Sequence, residues 1–379
     1  MKKLISLLLV LILCLSLFAG CDAKTEEATE VEVETETPAA IDLAASFSKY
    51  APDTVVMTVD GKDVTWSEFY YMVAGSVSKL QYYLGDIYWD HEIDTGVSYD
   101  EYVIEMAVAS IQQTRAITDV SAEMKVVLDD ADHARIAETE AALRLENCGE
   151  DATDEEYRTF LLEKVFLTED VYRYINESSL LYEKLFYEVV GEAGEKVTEE
   201  EIAEYVKSVP YVTAKHILLA TVNMDTGEAL SPQEAAQAKE TAEQLLAQLQ
   251  AIKDRNELVV TFNELMTEYS KDEGCQVFPE GYTFTYGEMY TEFEEAAFSL
   301  EEYELSGIVE SPAGYHILLR MPTNGKCRVD LDYQSFTYYD VLTYAATDLY
   351  AKKVDAWTNA VEVVWSGEFE GITAQEIFG

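Results

Sequence analysis

Ala214-Lys215-His216-Ile217-Leu218 and Gly314-Tyr315-His316-Ile317-Leu318-Leu319 are the runs whose reading decides the fold. Each is a short β-favouring stretch bounded by turn-type or polar residues, and each carries one of the chain's four histidines. The sequence between them is largely helical. Ser231-Pro232-Gln233-Glu234 joins an N-cap, a proline at the first helical position and a capping Glu. It predicts a long helix to about Ala251, with Ala235, Ala238, Ala242, Leu245 and Leu249 on one stripe. Thr261-Phe262-Asn263-Glu264 predicts the start of a second helix, and Thr291 to Phe298 a third. The order is strand, helices, short strand, helix, short strand, final strand.

Within that insert lie Tyr269-Ser270-Lys271-Asp272, Phe284, Gly287-Glu288-Met289 and Phe293-Glu294-Glu295-Ala296-Ala297-Phe298. In this order and spacing the set resembles the parvulin (PpiC) family of peptidyl-prolyl cis/trans isomerases over residues 210–322. The resemblance implies an α+β fold, with a small antiparallel sheet wrapped by helices. It also implies two histidines on neighbouring central strands, hydrogen-bonded to each other, beside an Asp or Cys. Asp272 matches that last position and Cys275 does not. The implied catalytic set is therefore His216, Asp272 and His316. Met289, Phe293 and Phe284 would grip the proline ring, with Ser311 matching a hydroxyl near the site. Met289 and Phe293 are four apart, so at the start of a helix they would share a face.

Two departures bear on activity. The family usually has Gly-Gly-x-Leu-Gly-x-Phe before the pocket, whereas this chain reads Phe278-Pro279-Glu280-Gly281-Tyr282-Thr283-Phe284. Gly281 falls where an apolar Leu would line the pocket, and Tyr282 is the residue able to fill that space. Phosphate-directed members carry an Arg-rich loop after the first histidine strand. Here Thr221-Val222-Asn223-Met224-Asp225-Thr226-Gly227-Glu228 has no basic residue, so a phosphorylated substrate is not expected.

At the N-terminus, Lys2 and Lys3 precede an apolar stretch from Leu4 to Phe18 and then Ala19-Gly20-Cys21. Residues 1–20 read as a secretion signal. Small residues before a cysteine resemble the bacterial lipobox, with Phe18 where Leu is usual, and imply lipidation of Cys21. An ordinary signal peptide or an uncleaved anchor are the alternatives, although the run is short of the about 20 residues a spanning helix needs. Residues 21–41, Glu- and Thr-rich, read as an acidic flexible tether.

The formal net charge of −47 argues against a nucleic-acid partner, because phosphate binding needs clustered Lys and Arg. It suits attraction of basic unfolded segments instead. Outside the signal and Cys21, three cysteines remain: Cys148, Cys275 and Cys327. At most one disulfide can form among them, and Cys275 with Cys327 or none are both open. No Cys-x-x-Cys spacing or ligand cluster points to a metal, and no cofactor is expected.

Val55 to Val59, the turn Asp60-Gly61 and Lys62 to Thr65 read as a hairpin leading into a helix at Trp66. This opening resembles SurA-like and PrsA-like chaperones. Residues 42–209 are otherwise helical by pattern, with capping boxes at Thr153/Glu156 and Thr198/Glu201. Residues 323–379, with a helical run from Tyr339 to Val364, are too few to bury a core alone. They are expected to complete the N-terminal helical domain, so that the isomerase segment is an insertion in a discontinuous chaperone domain. Tyrosine pairs at Tyr70-Tyr71, Tyr82-Tyr83 and Tyr338-Tyr339 suit either a client cradle or helix core.

The expectation is a bacterial foldase anchored by lipid at the extracytoplasmic face of the membrane, isomerising X-Pro bonds in secreted proteins and binding unfolded clients. The alternatives are a non-catalytic chaperone using the isomerase fold as a client platform, and a solute-binding lipoprotein. The last is disfavoured by the lack of repeated strand-helix units outside residues 210–322.

Overall fold

The computed structural model describes residues 41–93, 96–332 and 337–379. The expected signal segment, Cys21 and the tether to residue 40 lie outside the described residues. In chain order the elements are α1 (Leu43–Phe47), β1 (Val55–Val59), β2 (Lys62–Thr65), α2 (Trp66–Leu84), α3 (Tyr99–Met124), α4 (Asp130–Cys148), α5 (Asp154–Phe160) with a π-helical turn Leu161–Val165, α6 (Glu169–Val190) and α7 (Glu199–Ser208). There follow β3 (Val212–Ala220), α8 (Pro232–Ala251), α9 (Arg255–Tyr269), α10 (Gly274–Val277), β4 (Tyr282–Phe284), α11 (Thr291–Ser299), β5 (Leu305–Ser311) and β6 (Gly314–Met321). The chain finishes with β7 (Arg328–Asp332), β8 (Thr337–Asp340), α12 (Val341–Asn359), β9 (Val363–Trp365) and α13 (Ala374–Phe378). Contacts divide it into two units, residues through Val189 with Tyr350–Gly379, and Val190–Leu349.

In the first unit, Asp60 and Gly61 both take positive φ, which a two-residue hairpin turn of the right twist requires. Thr65 then caps α2 by accepting the Glu68 amide. The core gathers Trp66, Phe69 and Tyr70 with Val56, Val103 and Ile111. The C-terminus completes it. Phe369, Ile377 and Phe378 fill the same core, and β9 pairs antiparallel with β1 to make the order β2-β1-β9. The expected helix to Val364 thus stops at Asn359. Val363, Val364 and Trp365 are β-favouring, and the open edge of β1 satisfies their backbone through Val59↔Val363 and Met57↔Trp365. A buried ion pair, Arg115 to Glu68 at 2.8 Å, ties α3 to α2. Tyr70 and Tyr71 are core residues, which removes that pair from any client surface, whereas Tyr82 and Tyr83 are 76% and 71% exposed.

The second unit is built on an antiparallel sheet of order β4-β3-β6-β5. Every residue of β3 is buried, because helices cover both faces. Register settles which side chains share a face: His216 opposes Leu318 and Leu218 opposes His316. One face presents Val212, Ala214 and Leu318 to Phe293 and Ala297 of α11. The other presents Ile217, Leu219, Ile317 and Leu319 to α8 and α9. The capping boxes at Thr153, Thr198 and Ser231 are present as read from the sequence. The helix expected from Thr261 begins a full two turns earlier, where the Asp254 side chain accepts the Glu257 amide and Leu258 joins the buried stripe of Phe262, Leu265 and Met266. Gly325 lies against Ile202 and Leu342, and Gly194 against Leu342, which groups the segments flanking the sheet with this unit.

Candidate active site

The register places His216 and His316 diagonally across β3 and β6 on the α11 face, with ring centroids 5.4 Å apart. The Phe293 ring stands edge-on to both, at 5.2 Å from His216 and 5.3 Å from His316. No hydrogen bond joins the histidines. The diagonal offset tilts the rings 50° to one another, and the buried Nδ1 of each has no hydrogen-bond partner, so the expected direct pair is replaced by two separate networks.

The first network runs from His216 to the turn after α9. β4 pairs only Val212 to Ala214 of β3, so the edge groups of Leu218 remain for that turn. Ser270 Oγ accepts the Leu218 amide at 3.2 Å, and the Lys271 amide donates to the Leu218 carbonyl at 2.9 Å. This pins Asp272 beside His216, with Nε2 to Oδ2 at 3.1 Å. The other Asp272 oxygen accepts the Gly274 amide at 2.8 Å, and the Tyr282 hydroxyl donates to Oδ2 at 3.0 Å. Tyr282 also stacks on the His216 ring. The close approach depends on Gly274, since a Cβ there would fall 1.7 Å from the Tyr282 hydroxyl oxygen. In the second network, Ser311 Oγ accepts the Ala313 amide and bonds His316 Nε2 at 2.7 Å.

The two histidines are driven apart in charge. Burial disfavours the His216 cation, but the hydrogen bond to Asp272, then that to Cys275, outweighs it and lifts its pKa to about 9. Asp272 answers in the opposite sense: burial opposes its charge, and the His216 hydrogen bond and cation, the Gly274 amide and the Tyr282 hydroxyl hold it below the ordinary carboxylate value. His316 is pushed down to about 4, first by burial and then by the neighbouring His216 cation. At neutral pH the site holds an imidazolium-carboxylate pair beside a neutral imidazole. Paired titratable groups with opposed environments are a common mark of functional sites.

Of the expected pocket residues, Phe284 and Phe293 are fully within the apolar floor, and Met289 and Tyr282 pack against it half-buried. Met289 does not share a helix with Phe293, because α11 starts after Tyr290, yet both meet in the same cluster. Gly281 has no room for the Leu of the family pattern. Its φ is +104° and a Cβ would stand 2.8 Å from the Ala214 carbonyl carbon and oxygen, so Tyr282 alone presents a side chain there. Lys215, on the far face, fixes this loop by donating to Asn263 Oδ1 at 2.7 Å and to the Pro279 carbonyl at 2.6 Å.

Cys275, which the sequence pattern sets aside in favour of Asp272, also reaches the site. The helical turn 274–277 brings its Sγ to 4.0 Å from His216 Nε2, buried. The available signal was its i+3 spacing from Asp272. Cys148, Cys275 and Cys327 are all free, so the possible Cys275–Cys327 bridge is not formed; Cys327 Sγ instead lies within its own turn, near the Pro322 carbonyl.

Residues 216–321, which span the four-stranded antiparallel sheet, its helices and both histidines, match the family model described as Rotamase, PPIC-type PPIASE domain. Part of the chain is similar to several bacterial proteins named Foldase protein PrsA. That of Halalkalibacterium halodurans is 34% identical over 176 residues, covering 44% of each chain. That of Caldanaerobacter subterraneus subsp. tengcongensis is 26% identical over 276 residues, covering 70% of this chain and 72% of the relative. In the first two relatives the match spans less than half their length, 44% and 46%. Among solved structures, PrsA from Bacillus subtilis aligns over 82% of this chain and 90% of that one at 19% identity, with a TM-score of 0.25. Among the described residues no helix is long and apolar enough to cross a membrane.

Proposed function

We propose that the protein is a foldase that isomerises X-Pro bonds at the His216–Asp272–His316 centre, held by an N-terminal lipid at the extracytoplasmic face of a bacterial membrane, and that it binds unfolded secreted proteins. The observation that carries the reading is the carboxylate beside an imidazolium, set against the apolar floor of Phe284, Phe293 and Met289. An amide resists twisting because its planar form delocalises negative charge onto the carbonyl oxygen, a barrier of about 18 to 20 kcal/mol. A carboxylate facing that oxygen in an apolar pocket raises the energy of the delocalised form, while the floor holds the proline ring. The twisted amide is thereby favoured relative to the planar one. Asp272 suits this role because its side chain is 26% exposed while its histidine partner is buried.

His216 orients the carboxylate, and neutral His316 with Ser311 maintains the apolar side of the site without adding charge. A groove of about 740 Å3, lined by Leu219, Met224, Leu230, Ala238, Tyr269 and Asp272 among others, borders the same carboxylate. Exposed Tyr82 and Tyr83 offer apolar rings with wet tips to unfolded segments. Gly281, which motivated the non-catalytic alternative, is a backbone requirement and leaves Tyr282 in the pocket.

The test is refolding of a client protein limited by prolyl isomerisation. Faster refolding that Asp272→Ala removes, with suppression of aggregation retained, supports the reading. Unchanged refolding rates at all protein concentrations would reject catalysis.

A further inference from the structure

We infer that His216, Asp272 and Cys275 form a binding site for a borderline-soft divalent cation of the zinc type. The inference goes beyond the isomerase reading and does not need it. His216 Nε2, an Asp272 carboxylate oxygen and Cys275 Sγ all lie within 4.8 Å of one another. Zinc bonds of about 2.0 Å to nitrogen and oxygen and about 2.3 Å to sulfur, in tetrahedral array, place nitrogen and oxygen about 3.3 Å apart and nitrogen and sulfur about 3.6 Å apart. The observed separations are 3.1 Å and 4.0 Å, each within about half an ångström of those values, and the Asp272 carboxylate oxygen lies within 4.8 Å of Cys275 Sγ.

The donor set selects the metal. One thiolate, one imidazole and one carboxylate suit zinc, whereas magnesium and calcium need several oxygens. The surroundings are already arranged for ligation. The Gly274 amide and the Tyr282 hydroxyl hold the Asp272 carboxylate in place, as outer partners of metal ligands do. The partly exposed carboxylate gives access to a cation, while the other two donors are buried. Three protein ligands leave a fourth position for water. The reaction balances as follows: the six-coordinate hydrated cation loses five waters and keeps one, the Cys275 thiol and the His216 imidazolium each release a proton to solvent, and bonds to nitrogen, oxygen and sulfur form. No redox change occurs. Because Asp272 becomes a ligand, a bound metal would withdraw the carboxylate that the proposed isomerase uses.

The pattern was not readable as a metal motif because its ligands come from a strand and a distant four-residue turn. The experiment titrates the full chain, kept reduced, with Zn2+ alone against a chromophoric chelator, and in parallel with Co2+. The expected result is one equivalent bound, with Co2+ giving tetrahedral d–d bands and a sulfur-to-metal charge-transfer band. Cys275→Ser and Asp272→Asn, each checked for native circular dichroism and melting, should weaken Zn2+ binding by at least about tenfold. Cys275→Ser should also erase the charge-transfer band, and Cys148→Ser should change neither reading. Equal affinity for the parent and Cys275→Ser, or no binding by the parent, overturns the inference. Zn2+ binding with no effect on prolyl isomerisation would leave the metal site standing and count against the isomerase role of Asp272.

Discussion

Replacing Asp272 by Asn removes one charge and keeps the shape of the His216 network. His216 has a pKa of about 9 in the fold against 6.5 outside it, a difference worth roughly 3 kcal/mol at 1.36 kcal/mol per pH unit. Burial works against that rise, so Asp272 together with Cys275 supplies more than the net figure. In Asp272→Asn the burial remains and the carboxylate does not, so the His216 imidazole should titrate below 6.5. The sign for stability follows from linkage. The folded state holds the His216 proton more tightly, so this contribution is complete below pH 6.5 and is lost as pH rises through about 9. His316, depressed to about 4, acts in the other direction: its contribution is present above 6.5 and is lost as pH falls toward 4. The assay is an NMR titration of the two imidazoles, with denaturant unfolding at pH 6.5 and 9 for parent and variant. The parent should lose roughly 3 kcal/mol more than Asp272→Asn across that interval. A parent His216 that titrates near 6.5, or parallel pH-stability lines for the two proteins, would refute the reasoning.

Three further outcomes are expected. Gly281→Leu, which restores the family's residue, should lower stability by about 1 to 3 kcal/mol because of the positive φ and the Ala214 backbone; a thermal midpoint at or above the parent's would contradict this. Arg115→Ala leaves Glu68 buried without its partner and should cost about 3 to 5 kcal/mol in unfolding of the first unit, while the double change Glu68→Gln with Arg115→Met recovers most of it. A phosphate placed before the proline of a test peptide should slow turnover, since Asp225 and Glu228 are the exposed charges of the loop after β3; faster turnover of the phosphopeptide would be inconsistent with that surface.

What was legible in the sequence rests on local rules. Ser231 with Glu234 and Thr198 with Glu201 cap helices because each motif satisfies backbone amides within four residues. The two histidine runs are strands, and their shared parity places both rings on one face. What was not legible depends on distant partners. Val363 to Trp365 became a strand only because β1 offers an edge from the other end of the chain. The absence of a histidine-histidine bond follows from a register that no single strand encodes. Gly281 read as a missing Leu, yet its reason is the nearness of Ala214 in β3. The start of α9 is encoded locally in Asp254 and Glu257, and Thr261, which has the same capping pattern with Glu264, falls within the helix. Cys275 needed the turn 274–277 before its distance to His216 had meaning.

If this site catalyses rotation about X-Pro bonds, NMR exchange spectroscopy on a panel of unphosphorylated X-Pro peptides will register it. The account expects cis/trans exchange accelerated well above the uncatalysed rate, with the acceleration lost in Asp272→Ala although the fold is retained. Baseline exchange across the whole panel with a folded parent protein, or acceleration undiminished in Asp272→Ala, would contradict it.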